Sequence, residues 1–181
     1  LSTNYTIKYG IVLGDSVSNI VFEKNTLANF DTLFINDHLN YSTAAASSIK
    51  NVRFVNNSIF NNTKTMVYDF GAQTAEKATI NYVSQNDTVY GTGLANSFIQ
   101  LYADDTGNKD QGRYFIDSTY TDGLGYWKIH NPTAYKGINF NYTALIDSLG
   151  STSDFSNPRQ AYYIAPTIVT KTIDDPDTIG S

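Results

Sequence analysis

The chain has 181 residues, enough for one or two domains, with 41% hydrophobic and 16% charged residues. Its net charge is -5, and its 12 Lys and Arg form no basic run, so nucleic acid is not an expected partner. No stretch approaches the roughly 20 apolar residues that span a bilayer, so no membrane insertion is expected. Cysteine is absent, which excludes a disulfide framework. The 14 Tyr and 10 Phe suit sheets, whereas 19 Asn oppose helix because the side chain competes for backbone hydrogen bonds.

From the N-terminus the chain repeats itself. Asn19, Phe22, Asn25, Leu27, Asn29, Phe34, Ile35 and Asp37 meet Asn51, Phe54, Asn57, Ile59, Asn61, Met66, Val67 and Asp69 at an offset of 32. Apolar returns as apolar and asparagine as asparagine, the pattern of stacked units that bury their apolar faces only against one another. A fainter echo, Gly10 to Leu13 against Leu33 to Asn36, has a step of 23 and predicts a third, more diverged coil. The longer step then holds an insertion of about nine residues, expected within His38 to Lys50. Strand-length apolar runs separated by Asn-rich corners predict the last coils of a right-handed parallel β-helix over residues 1–77. Asn25/Asn57 and Asn29/Asn61 are the expected ladders, since corner asparagines accept the left-handed conformation and can bond backbone in an adjacent coil.

The repeat stops near Gly71 to Lys77. Strand signals then recur about every ten residues: Thr79–Ser84, Thr88–Thr92, Phe98–Ala103, Tyr114–Tyr120, Tyr126–Ile129, Asn139–Ile146 and Ala161–Ile164. Turns are expected at Gly91-Thr92-Gly93, Asp104 to Asn108 and Asp122 to Gly125. Seven short strands predict an antiparallel β-sandwich over residues 78–165, with Trp127 in its core. Residues 166–181 read as a linker or tail. The chain is therefore expected to be all-β, and to be an excerpt of a longer protein.

Three stretches carry a resemblance. Gly91 to Tyr102 (GTGLANSFIQLY), Thr121 to Trp127 (TDGLGYW) and Thr143 to Asn157 (TALIDSLGSTSDFSN) resemble, in this order, motifs of the bacterial Ig-like domains that follow β-helical repeats in large secreted proteins. Ala95 and Ser151 depart from the residues usual there. The first half resembles the pectin-lyase-like superfamily through its asparagine ladders alone. These resemblances imply an extracellular or cell-surface location.

Chemistry is sparse. Asp37 and Asp69 fall at equivalent positions, about 5 Å apart if stacked, where neighbouring carboxylates can divide acid and base roles. The simpler reading makes them strand-end aspartates that accept turn hydrogen bonds. Asp104, Asp105, Asn108 and Asp110 share a loop with Gly107 and offer hard oxygen ligands, so calcium is the one candidate cofactor. The spacing is not that of an EF-hand. His38 and His130 have no ligand spacing. Tyr5, Tyr9, Tyr41, Tyr68, Tyr90, Tyr102, Tyr120, Tyr126, Tyr135, Tyr162 and Tyr163 are numerous enough to offer a surface for stacking sugars, although tyrosine equally suits half-buried sheet positions. The expected function is a non-catalytic structural or adhesive segment whose sandwich caps the helix end. A polysaccharide lyase or hydrolase and a carbohydrate-binding module are the alternatives, and a polysaccharide or a cell-surface ligand is the expected partner.

Overall fold

The computed structural model describes residues 7–13, 17–36, 50–67, 76–84, 86–107, 110–130, 135, 140–148 and 150–161, and all regular structure among them is β-strand. Seven strands come first: β1 (Ile7–Leu13), β2 (Ser18–Glu23), β3 (Thr26–Ala28), β4 (Phe30–Asn36), β5 (Lys50–Val55), β6 (Ser58–Phe60) and β7 (Lys64–Val67). Every pairing among them is parallel. β4 lies between β1 and β7, β2 pairs with β5, and β3 pairs with β6. The register is that of the sequence repeat: Ile7 faces Phe30 at the shorter step, while Phe22 faces Phe54 and Leu27 faces Ile59 at the longer one.

Three corners recur at the 32-residue step, each with a positive φ: Asn19 and Asn51 at 60° and 56°, Lys24 and Asn56 at 55° and 51°, Asn29 and Asn61 at 67° and 55°. Five of the six are asparagine, whose short polar side chain makes this conformation less costly than it is for other L-residues. The expected insertion differs at its end. Lys50 is the first residue of β5, because it takes its place in the parallel ladder opposite Ser18. Residues 37–49 lie outside the described residues.

Eight further strands follow: β8 (Thr79–Val83), β9 (Thr88–Thr92), β10 (Phe98–Asp104), β11 (Tyr114–Tyr120), β12 (Tyr126–His130), β13 (Asn141–Ser148), β14 (Ser151–Thr152) and β15 (Arg159–Gln160). They form two antiparallel sheets, β12-β9-β8 and β11-β10-β13-β14, with β15 also on β13. Six of the strands expected from sequence are present within two residues of their expected ends. Beyond Ala161 the seventh lies outside the described residues. Gly91 and Thr92 belong to β9 rather than to a turn, since they pair with Trp127 and Tyr126 in β12.

Ala78, Ile80, Val89, Trp127 and Ile129 from the first of these sheets meet Ile99, Leu101, Ala103, Tyr142, Ala144 and Ile146 from the second. The second sheet is covered on its other side too. Tyr102, Leu145 and the following Phe155 pack with Leu33, Val52, Phe54 and Ile59 of the parallel strands. Hence β10 and β13 are buried along almost their whole length and not on alternate residues. The molecule is layered: parallel strands, a middle sheet, and an outer sheet.

Trp127 fixes the outer layer's spacing. A Cβ at Gly91 would lie 2.2 Å from the Trp127 ring and 2.3 Å from the Thr79 carbonyl oxygen, so only glycine admits the indole here. Gly91→Ala should cost about 1–3 kcal/mol by overpacking, read from the urea midpoint. Gly123→Ala, where a Cβ meets nothing within 4 Å, should stay within about 0.5 kcal/mol of the parent. Equal effects would show that the Trp127 contact is not what Gly91 serves.

Candidate functional site

The chemistry that the residues bring together lies where the parallel strands meet the middle sheet. A parallel strand bonds to a neighbour on each side, so the last coil of any stack carries backbone donors and acceptors with no further coil to take them. How one coil satisfies the next is visible within the stack. Asn57 accepts from the Asn25 N–H at 2.9 Å through Oδ1 and donates to the Phe22 carbonyl at 2.7 Å through Nδ2. Asn62 does the same five residues on, accepting from the Phe30 N–H and donating to the Leu27 carbonyl, both at 3.0 Å. Each buried primary amide brackets a corner of the preceding coil.

The equivalent groups one coil later are met by the antiparallel part. Gln100 of β10, fully buried, donates to the Phe54 carbonyl and accepts from the Asn56 N–H, both at 2.8 Å. Phe54 corresponds to Phe22 in the repeat. Gln111 accepts from the Asn62 N–H at 2.8 Å and donates to the Asn62 carbonyl at 2.7 Å. The Ile59 N–H and carbonyl, equivalent to those of Leu27, exchange bonds of 2.8 and 2.9 Å with the Gly112 backbone. Thr152 Oγ1 accepts from the Phe54 N–H at 2.9 Å, and Ser58 Oγ donates to the Arg113 carbonyl at 2.6 Å. Two glutamines, one glycine backbone and one threonine thus bond the backbone of β5, β6 and the corner after them. Gly112 must be glycine, since a Cβ there would sit 2.5 Å from the Cβ of Tyr102 and 2.8 Å from the Phe155 ring.

Apolar packing and charge complete the contact. The Phe22–Phe54 stack, centroids 4.9 Å apart, leads to Tyr102 and Phe155, whose rings meet edge-on at 5.5 Å. Burial and the nearby Asp147 carboxylate push the Tyr102 phenol well up, so it stays protonated and donates to Gln100 Oε1 at 3.0 Å. Arg53 reaches Asp147 through Nε at 2.9 Å and Nη2 at 2.8 Å, and Thr152 Oγ1 bonds the other carboxylate oxygen. Lys77 pairs with Asp154 at 3.0 Å.

The residues singled out from sequence fare differently. Asp37, Asp69, His38 and Asn108 lie outside the described residues. Asp104 is buried, with Oδ1 accepting from the Thr106 N–H at 2.6 Å and Oδ2 without a partner. Asp105 faces away toward Arg113, at 3.0 Å, and Tyr114. Asp110 joins neither, and among the described residues no three His, Asp or Glu gather as a metal site. The same loop has another use, because it carries Gln111, Gly112 and Arg113 to the coil end; Arg113 lies over the Phe60 ring at 4.8 Å. His130 is exposed, with Nδ1 3.2 Å from Thr88 Oγ1. Of the expected ladders, Asn25/Asn57 is bonded through the side chains at 3.2 Å. Asn29 and Asn61 are exposed left-handed corners, and the second bracket is Asn62, which the repeat hides by setting it opposite Phe30.

No protein-family model and no curated protein matches the chain. A solved structure described as "Biofilm associated protein - BSP domain" is similar over 49% of this chain and 14% of that one, with 17% identity and a TM-score of 0.39. A likeness this slight carries no functional argument.

Gln100→Leu, close in volume, removes the bonds to the Phe54 carbonyl and the Asn56 N–H and should cost about 2–5 kcal/mol in chemical unfolding. A loss below about 0.5 kcal/mol would show the bracket to be incidental. Asp147 gives a pH test. Burial raises its carboxyl above the ordinary 3.8, against the opposing pull of Thr152 and Arg53. A raised folded-state value means that this group's contribution is full below the unfolded pKa and is lost as pH rises through the folded one. Asp147→Asn should therefore gain stability relative to the parent as pH rises above the ordinary 3.8. A pH-independent difference between the two would count against this linkage.

Proposed function

We propose that this chain is a non-catalytic structural segment of a secreted or cell-surface protein, with the last coils of a right-handed parallel β-helix closed by an Ig-like sandwich. The observation that carries the reading is the replacement of a further coil by Gln100, Gln111, Gly112 and Thr152 at the backbone of β5, β6 and the corner after them. An uncovered parallel edge templates pairing with other chains, and capping units are what allow a stack of repeats to remain soluble. The polar groups nearest the coils are spent on this backbone, and an ion pair between half-exposed Arg53 and the buried Asp147 carboxylate ties the two parts together. Such a unit suits a stalk or adhesive scaffold, in which a repeat array must end cleanly and stay stiff. The limits 1–77 and 78–165 are proposed as its two parts, and the outside of the cell as its place.

Hydrogen exchange on the full chain tests this. Amides of β5 and β6 should be protected about as strongly as those of β10 and β13. In a Gln100→Leu/Gln111→Leu variant, protection should fall in β5 and β6 while the outer sheet keeps most of its own, and the protein should self-associate more than the parent does. Unchanged protection in β5 and β6, with no change in association, would refute the capping reading.

A further inference from the structure

At the other side of the antiparallel part, β11 and β12 are both edge strands, joined by the turn at Asp122 to Gly125. Between them lies an open cleft of about 410 Å³. Tyr90, Tyr120 and Tyr126 line it with Thr119, Asp122 and Lys128, and Trp127 forms part of its wall. Tyr120 and Tyr126 are 68% and 58% exposed, an unusual cost for large rings that have no partner in the molecule's own core. Their positions are nonetheless held. Tyr90 stacks on Tyr82 at 4.5 Å with an interplanar angle of 11°, and Tyr120 packs against Phe98 at 5.2 Å. The Tyr126 N–H donates to the Asp122 carboxylate at 2.9 Å. Lys128 forms no ion pair among the described residues.

We propose that this cleft is an oligosaccharide-binding site. A pyranose ring has a face of C–H bonds and a rim of hydroxyls, and it needs aromatic surface beside donors and acceptors. The lining supplies both: three tyrosines, each an apolar body with a polar tip, together with a threonine hydroxyl, a carboxylate and the Lys128 ammonium. Nucleic acid, which also stacks on tyrosine, needs a positively charged groove along its backbone. Here one lysine faces one aspartate in a chain of net charge -5. A proline-rich peptide also favours aromatic grooves, but its prolines offer carbonyl acceptors and no N–H donor for the Asp122 carboxylate. Lys128 further favours a sugar that carries a carboxylate. The proposal does not depend on the capping reading, whose residues Gln100 and Gln111 line no part of the cleft.

The chain's single tryptophan, Trp127, reports on the site directly. Its emission is followed while the full chain is titrated with cellohexaose, chitohexaose, mannohexaose and hexagalacturonate, each to about 5 mM. At least one should give a saturable change. Tyr120→Ala and Tyr126→Ala, both exposed positions expected to leave thermal unfolding unchanged, should each weaken that binding about tenfold. Lys128→Met should weaken hexagalacturonate more than any neutral sugar. Silence from all four sugars, binding indifferent to both tyrosine variants, or a response to decaproline alone would overturn the proposal.

Discussion

Everything else in the molecule depends on one requirement: the backbone of β5, β6 and the corner after them must find hydrogen-bond partners away from water. A buried N–H or carbonyl left alone costs about 1–3 kcal/mol, so several together would remove much of the 5–15 kcal/mol that holds an ordinary domain folded. The chain meets the requirement with side-chain amides. Asn57 and Asn62 use theirs between coils, and Gln100 uses its own from the neighbouring sheet. A primary amide carries one carbonyl and one NH₂ in a plane, as a peptide group does, and can accept and donate at once. Glutamine's extra methylene adds reach, which a bracket set on another sheet needs and a bracket within the coil does not.

This use of Gln100 explains the middle sheet. In a sheet with one wet face, Gln100 and Asp147 would look outward to water. Here that face meets the coils, so Gln100 is wholly buried and Asp147 nearly so. The burial is tolerable because each has partners: backbone for Gln100, Arg53 and Thr152 for Asp147. Asp147 is the less comfortable of the two, since its carboxyl is raised despite a guanidinium at 2.8 Å. Desolvation therefore outweighs attraction at this ion pair, and it fixes the placement of β13 against β5 more than it stabilises. Apolar contact among Phe54, Ile59, Tyr102, Leu145 and Phe155 supplies the adhesion.

The sequence was legible where local pattern and structure share a period. Parallel pairing at steps of 23 and 32 could be read directly because each coil repeats the same inward positions, and six antiparallel strands followed from alternation and turns. The contacts that Gln100, Gln111 and Gly112 make with the parallel strands could not be read. Gln100 stands in a strand like any solvent-facing polar residue, and nothing local says that a second layer covers it. Gln111, Gly112 and Arg113 end a loop rich in aspartate and glycine, whose composition points to cations or turns and says nothing of what the loop touches. Asn62 was masked by the alignment itself, because its counterpart one coil earlier, Phe30, does not carry an amide. Residues whose role is to meet another part of the chain leave a trace only when both partners repeat, and at the end of a stack one partner does not.

The two faces of the antiparallel part accordingly serve opposite ends. Toward the coils, the tyrosines lie inside: Tyr102 is fully buried, its phenol held protonated and bonded to Gln100. At the seam of β11 and β12, Tyr120 and Tyr126 are exposed and braced by neighbours. The same residue type is glue on one side and open surface on the other, and the difference lies in what each layer has behind it. A middle sheet buried on both faces lets the outer sheet rest its inner face on Trp127 and Ile129 and leave its outer one unconstrained. Rigid support behind an exposed aromatic site lowers the ordering cost of binding, because the rings are already in place when a ligand arrives. The middle sheet that packs on the parallel strands is in this sense also the foundation on which the cleft stands.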